Sequence, residues 1–449
     1  MLNLEKKDPF EDNMLFNSGD YEVTMDMGKL IDDDKDGIQF RGMVSLNDLY
    51  SNFSITQSIF DPYMTLTIHI TNSKLVLERF GTKGLQGEEF VKIKFQTPTM
   101  HIIEDLFYVS GYGPIKQDSH NLQTGLVLRC VSKDKLINDQ MTVNQTFSGS
   151  TSDIAKNIFN NYILGSEKYK QMKASGTLWK EKPIEIDESI GTQNLIIPGI
   201  TPFAALHFLA VRSFGGSKYP SSFYTFYEST TAFHFKNIEK WEDDVRVQGY
   251  TYDSELGALP HHHKDFYYNI KYMSPLVMKN TMEGIHEGEY AAKTTAIDFN
   301  KKSFYVNEFN LKKERESFNI LGKEFNMSSS FFDMYGNDPV EEMVVVDSTK
   351  GVFNENFASI VGRRNAYMQM LGHYNLNIVI NGDSSMTAGS VIKIKLKESG
   401  APEKKTKGSM YSGNWYVTEV AHICDNGVFN TKLTISKDGL DFTHGEGNK

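Results

Sequence analysis

Leu376-Asn377-Ile378-Val379-Ile380-Asn381-Gly382-Asp383 opens the stretch that decides the fold. Alternate residues of its first five are apolar, and the run breaks at Asn381-Gly382-Asp383. Alternation resumes with Ile392, Ile394 and Leu396 on one side of a strand and Lys393, Lys395 and Lys397 on its outer face. Two more strands are expected over 415–423 and 429–436, joined by a turn at Asp425-Asn426-Gly427. Period-two alternation broken by Asn-Gly turns is the pattern of antiparallel strands with one buried face. Four such strands within 376–440 read as a small barrel or sandwich.

Much of this stretch occurs twice. Val91-Lys92-Ile93-Lys94-Phe95 matches Ile392-Lys393-Ile394-Lys395-Leu396, and Phe107-Tyr108-Val109-Ser110 matches Trp415-Tyr416-Val417-Thr418. Each copy closes on Ser-Lys-Asp-x-Leu, at Ser132-Lys133-Asp134-Lys135-Leu136 and at Ser436-Lys437-Asp438-Gly439-Leu440. The three motifs keep their order and nearly their spacing, which points to two related units in one chain.

Outward from the first copy, strands are expected at 53–60, 65–71, 107–111 and 126–132. Between the copies the period changes to that of helices. Ser150 with Asp153 is a capping signal ahead of Ile154, Ile158, Phe159 and Tyr162 on one helical face. Thr201-Pro202 starts a second helix with Phe203, Leu206, Leu209 and Ala210 as its apolar stripe. A hairpin over 223–227 and 232–235 follows, strands return between 265 and 305, and a helix at 356–373 leads into the last barrel. The expected fold is mainly β with an α+β part. Two similar small antiparallel β-barrels are separated by an α+β domain and an irregular insertion. The boundaries are an acidic N-terminal arm at 1–40, the first barrel at 41–145 and the α+β domain at 146–245. The second barrel covers 246–300 and 356–440, interrupted by the insertion at 301–355, and 441–449 is a polar tail.

A chain of 449 residues has room for roughly three domains. Its 57 acidic against 47 basic residues give a net charge of −10, the opposite of the basic footprint that phosphate neutralisation needs. No apolar run reaches the roughly 20 residues that span a bilayer, and Met1–Asp8 lacks the apolar core of a secretory signal. Cys130 and Cys424 are too few for a disulfide framework and read as buried free thiols in an intracellularly made, soluble protein.

The residues that could carry chemistry each fall short of it. Asp32-Asp33-Asp34-Lys35-Asp36-Gly37 begins like a calcium loop, but its twelfth position is Met43 where a bidentate Glu belongs. His261-His262-His263 on a strand would point to opposite faces and cannot chelate one ion. His286-Glu287-Gly288-Glu289 has Tyr290 where a zinc motif needs its second His. Gly111-Tyr112-Gly113 is followed by Pro114 and has Lys116 where a dinucleotide fingerprint needs Gly. The carboxylate pairs Glu181/Glu185 and Glu287/Glu289 read as solvated surface, and Lys404, Lys405 and Lys407 as a hairpin tip. No catalytic, cofactor-binding or metal-binding residues are assigned, and the chain is expected not to be an enzyme.

Four segments, in this order and spacing, resemble the central baseplate hub proteins of contractile-tailed bacteriophages, relatives of the base of secretion-system spike proteins. They are Ile55-Thr56-Gln57-Ser58-Ile59-Phe60 with Thr65–Ile68 and Gly87–Ile93; Leu128–Ser132 with Phe147-Ser148-Gly149; Ile196–Phe203 with Tyr224–Glu228; and Gly389–Ile392 with Gly413–Thr418 through His422. The resemblance implies a virion protein of the tail baseplate, assembled in the host cytoplasm as a homotrimer. Six similar barrels would then form a pseudo-sixfold ring joining a sixfold tail tube, or its initiator proteins, to a threefold central spike. DNA would pass through the ring without specific binding, and no stable membrane association is expected. Two other readings stay open at this point: a receptor- or carbohydrate-binding tail protein, and a spike-associated cell-wall hydrolase.

Overall fold

The computed structural model describes residues 20–33, 37–71, 76, 78–80, 84–97, 101–114, 125–176, 181–243, 247–253, 255–259, 263–298, 302–318, 320, 328–346, 354–396 and 410–439. Its first seven strands are β1 (Glu22–Asp33), β2 (Gly37–Ser45), β3 (Tyr50–Ser58), β4 (Thr65–Ile70), β5 (Glu89–Gln96), β6 (Ile102–Pro114) and β7 (Leu126–Ser132). They lie in the order β3-β4-β7-β6-β5-β1-β2, every neighbour antiparallel. Alternation sets the inner face: Leu66, Ile68 and Ile70 of β4 are buried, as are Leu126, Leu128 and Cys130 of β7. The sheet curls so that its two ends share one core. Phe95 of β5 meets Phe53 of β3 with ring centroids 5.8 Å apart, and the Tyr21 and Tyr50 hydroxyls stand 3.1 Å apart.

The next part is α+β. β8 (Val143–Gly149) pairs with β10 (Gln193–Ile200), while β9 (Ile184–Ile186) lies parallel to β12 (Phe233–Asn237), whose other neighbour is β11 (Tyr224–Glu228). Ser150 caps the helix Thr151–Ile158 by accepting from the Asp153 N–H, and Pro202 opens the helix Pro202–Arg212. Ile154, Ile158, Phe159, Phe203, Leu206, Leu209 and Ala210 pack into one core with Phe226 and Phe233.

Short strands β13 (Gln248–Tyr252), β14 (Ile270–Met273) and β15 (Val277–Met278) come next. A separate sheet of β16 (Ala291–Asp298), β17 (Ser303–Asn310) and β18 (Val340–Val346) follows in the order β17-β16-β18. The helix Asn354–Leu371 then leads into β19 (Tyr374–Asn381), β20 (Val391–Leu396), β21 (Gly413–Asp425) and β22 (Val428–Lys437). The last two form a hairpin whose turn places Asn426 at φ 50° and Gly427 at φ 78°, the left-handed pair that an Asn-Gly hairpin turn requires. Lys393 and Lys395 are exposed and Ile392 and Ile394 fully buried; Lys397 and the loop of Lys404, Lys405 and Lys407 lie outside the described residues.

The repeat is real in register. Val91 of β5 pairs with Phe107 of β6, and the matched Ile392 of β20 pairs with the matched Trp415 of β21. Both long strands then bulge at the matched positions, Ser110 and Thr418. The third strand is displaced by one: Ser132 faces Phe107, whereas Ser436 faces Tyr416. Beyond these, β4 matches β19 and β3 matches β14 as successive antiparallel neighbours. The flanking strands differ, since β1 runs antiparallel to β5 but β13 runs parallel to β20.

Two separate barrels are not what the ladders form. The strand sets are two curled halves of one 14-stranded sheet, and neither ladder closes on itself among the described residues. In the second half a single bridge, Thr251 to Asn269, spans the gap between β13 and the approach to β14. The 13-residue β21 causes the continuity: Gly413–Tyr416 serve β20, and Glu419–Asp425 serve β3 of the other half.

Two other segments differ from expectation. The lead-in read as an acidic arm contributes β1 and β2, because Met25 and Met27 alternate with polar residues and are fully buried. The stretch read as an irregular insertion contributes β17 and β18, which pair with β16 from residues assigned to the second barrel.

Candidate functional site

The junction between the halves is built from backbone pairing and buried side chains together. Seven consecutive pairs, from Glu419 opposite Ser58 to Asp425 opposite Asn52, join β21 to β3. Beside them Ile59 N donates to Thr418 O at 3.0 Å. Cys424 and Phe429, from the second half, are buried in the first half's core, where Phe429 meets Phe95 with centroids 4.8 Å apart. Gln57 ties three parts together. Its Nε2 donates to Met386 O at 3.3 Å and lies 3.4 Å from His422 Nε2, while its Oε1 accepts from Thr230 N of the α+β part at 3.3 Å. Burial pushes the fully buried His422 imidazole down to about 4.

A second cluster pins the α+β part to the first half. Lys182 stands 2.5 Å from Asp105 Oδ2 and 2.6 Å from Glu228 Oε1. Lys133 stands 3.2 Å from Asp105 Oδ1 and 3.0 Å from Asp134 Oδ2. All five groups are buried. Burial alone would raise the Asp105 carboxyl, but Lys133, Lys182 and the Leu106 N–H bring it down to about 2. Glu228 Oε2 also accepts from Met64 N at 2.9 Å, so one carboxylate serves both parts.

Several strands of the large sheet have a ladder partner on one side only among the described residues, β2, β13 and β15 among them, and two further such edges correspond through the repeat. β14 pairs only with β19 along its length, and Tyr272 with the nearby Val277 and Met278 of β15 is more than half exposed. Ser274 N donates to Asn377 O of β19 at 2.8 Å, so in an extended strand the preceding Met273 N–H points away from β19. The other edge is β6 from Val109 to Pro114, which pairs with β7 alone and exposes Tyr112. By the repeat these edges are the counterparts of β3 and of the β21 segment that meets it.

No family model and no curated protein matches the chain. Among solved structures, the tail protein from Neisseria meningitidis superposes with a TM-score of 0.50 at 12% identity, over 94% of this chain and 98% of its own. The 43 kDa tail protein of prophage MuSo2 from Shewanella oneidensis gives 0.51 at 8% identity, over 93% and 98%. The chain has the fold of these tail proteins. At such identities the likeness carries the architecture and no residue roles.

On this tail-protein fold the candidate chemistry of the sequence is dispersed. The acidic turn at 34–36 lies outside the described residues, between β1 and β2 and not after a helix. His261 and His262 also lie outside them, while His263 Nδ1 accepts from Asp265 N at 3.2 Å and caps a short helix. Gly111 and Gly113 sit within β6. Glu181 pairs with Lys173, and Glu185 with Lys236 at 3.2 Å and His234 at 3.4 Å. Glu287 is partly exposed and binds Lys279 at 2.7 Å. Glu289, read as solvated, is instead fully buried, held by His373 and by Lys279 at 3.6 Å. The strand β16 that follows it packs against the helix Asn354–Leu371. Both cysteines are buried free thiols. Among the described residues no group of three His, Cys, Asp or Glu could hold a metal ion, and no helix is long and apolar enough to cross a membrane.

Sequence reading missed Gln57, His422, Asp105, Lys182 and Glu228 as structural centres. One signal existed: the repeated Ser-Lys-Asp places Lys133 and Asp134 in one half and Lys437 and Asp438 in the other, and all four are buried. A lysine repeated at the end of the last strand or directly after it, at Lys437 and Lys133, marks an interior position here, not a solvated one.

Proposed function

We propose that this chain is a structural, non-catalytic hub of a phage tail baseplate. Three copies join head to tail into a ring, each giving two similar half-sheets, so that six similar units surround one axis. The observation that carries the reading is the β3–β21 junction. It joins unlike edges of two similar units within one chain, and the matching pair of edges, β14 in one half and β6 beyond Tyr108 in the other, has no second ladder partner among the described residues. The same join made between copies is heterologous, and such contacts close into rings when the rotation allows it. In that ring each curled half completes its barrel against a neighbour.

Six similar units fit a sixfold tail tube on one side, and three identical chains fit a threefold spike on the other. The axis leaves a channel for DNA ejection, and the net charge of −10 disfavours retention of the polyanion there. The virion tail is the location this assigns, after assembly in the host cytoplasm. The fold shared with two tail proteins supports the reading. Light scattering on the purified chain at micromolar concentration, alone and with its spike protein, tests it: three chain masses are expected, and a monomer under both conditions contradicts it.

One observation favours a second reading, receptor or carbohydrate binding. Phe331 and Tyr335 pair with ring centroids 5.0 Å apart and are both exposed, the kind of aromatic surface on which sugars stack. Glycan binding that is lost in Tyr335→Ala would support it.

A further inference from the structure

Lys133 and Lys182 are buried and each face two carboxylates; two arginines pair with none among the described residues. Arg364, on the helix Asn354–Leu371, is 8% exposed. Its Nη2 donates to Tyr224 O at 3.2 Å, its Nε is buried with no acceptor, and its guanidinium lies 4.8 Å from the Phe223 ring centroid. Arg212 ends the helix Pro202–Arg212. Its Nη1 donates to Phe208 O at 3.3 Å, and its guanidinium lies 3.6 Å from the Phe208 ring and 5.3 Å from the Phe357 ring. Neither arginine forms an ion pair among the described residues.

Both line one partly open cavity of about 410 Å³, bounded by the two helices, by β18 and by Phe60 beyond β3. Its walls are largely apolar. Two other titratable groups face it. Glu342 of β18 accepts from Asn365 Nδ2 at 3.3 Å, and burial alone pushes its carboxyl up. His207 is pushed down by burial and by the charge of Arg364, which leaves its imidazole neutral at pH 7.

A guanidinium held out of water without a counter-charge is left uncompensated for its lost hydration, which favours an anion beside it. Its planar fork matches a carboxylate through two parallel hydrogen bonds. A strongly hydrated dianion such as phosphate suits apolar walls and the neighbouring Glu342 poorly. We propose that the cavity binds a carboxylate carried on an apolar body, with Arg364 and Arg212 holding the carboxylate and Phe223, Phe357 and Val361 enclosing the apolar part. A free organic acid and an acidic side chain of a partner protein share this chemistry. The site does not depend on the hub reading.

The test is a ¹⁹F NMR titration of the full chain with 4-(trifluoromethyl)benzoate and, separately, with its uncharged isostere 4-(trifluoromethyl)benzamide. The benzoate signal is expected to saturate, with the amide at least about tenfold weaker. Arg364→Gln and Arg212→Gln are each expected to weaken the benzoate about tenfold. Because the acid–amide comparison uses the unaltered protein, it stands even where a variant folds poorly. Displacement of the benzoate by the peptide acetyl-Phe-Glu-Phe-amide assigns the site to a protein segment, and saturation without displacement assigns it to a free acid. Equal binding of acid and amide, unchanged benzoate affinity in both variants, or no saturation below about 10 mM overturns the proposal.

Discussion

His422 stands opposite Ile55 in the pairing that joins the halves, fully buried beside Gln57 and Thr431, with Asp383 and His101 the charged or titratable groups nearest it. Its folded value of about 4 lies below the 6.5 of a free imidazole. The unfolded chain therefore takes up a proton at a pH where the native protein refuses it. The stability this contributes is present above pH 6.5 and is lost as the pH falls toward 4, amounting to roughly 3 kcal/mol at 1.4 kcal/mol per unit. Urea midpoints of the native chain should drop between pH 7.5 and 4.5 more steeply than those of His422→Gln; parallel slopes would show that His422 is not the group responsible. At the buried charge cluster, Lys182→Met strands Asp105 and Glu228 with one ammonium fewer. A loss of about 3–5 kcal/mol is expected, partly recovered when Glu228→Gln is added, as a double-mutant cycle in urea denaturation would measure. These residues were hard to read in advance because a buried charge looks like any other charge until its partners are placed, 28 positions apart for Lys133 and Asp105 and 46 for Lys182 and Glu228.

At the scale of elements, what could be read was whatever a strand writes on its own sequence. The Asn426-Gly427 turn, the inward Ile392 and Ile394, the Ser150 cap and the Pro202 start are local, and each stands where expected. β1 was also written locally, in Met25 and Met27, but its acidic surroundings masked it. What alternation cannot write is which strand lies along a second edge. That β21 leaves β20 after Tyr416 and meets β3 from Glu419 is a tertiary choice, as is the parallel pairing of β18 with β16 across some 48 residues. The open edge of β14 gives this scale its prediction. Met273→Pro removes an N–H that faces away from β19, so the strand should stay folded while the edge can no longer accept another chain. Circular dichroism should be unchanged and light scattering should report smaller assemblies; a variant that assembles like the native protein would rule out β14 as a joining edge.

For the whole molecule, one continuous sheet replaces two separate barrels, and the function proposed becomes a matter of where that sheet ends. Within the chain an outer strand of one half is satisfied by the long strand of the other. The matching segments, β14 and the end of β6, have no second partner among the described residues, and the proposed ring joins them between copies. The halves were legible as a repeat because their inner faces obey the same alternation, whereas the single sheet was not, since it depends on the length of β21. Electron microscopy of the purified protein, alone and with its spike, tests the central claim most directly. Class averages are expected to show threefold rings built of six similar lobes about an open axis; single particles without rotational symmetry in both samples would contradict it.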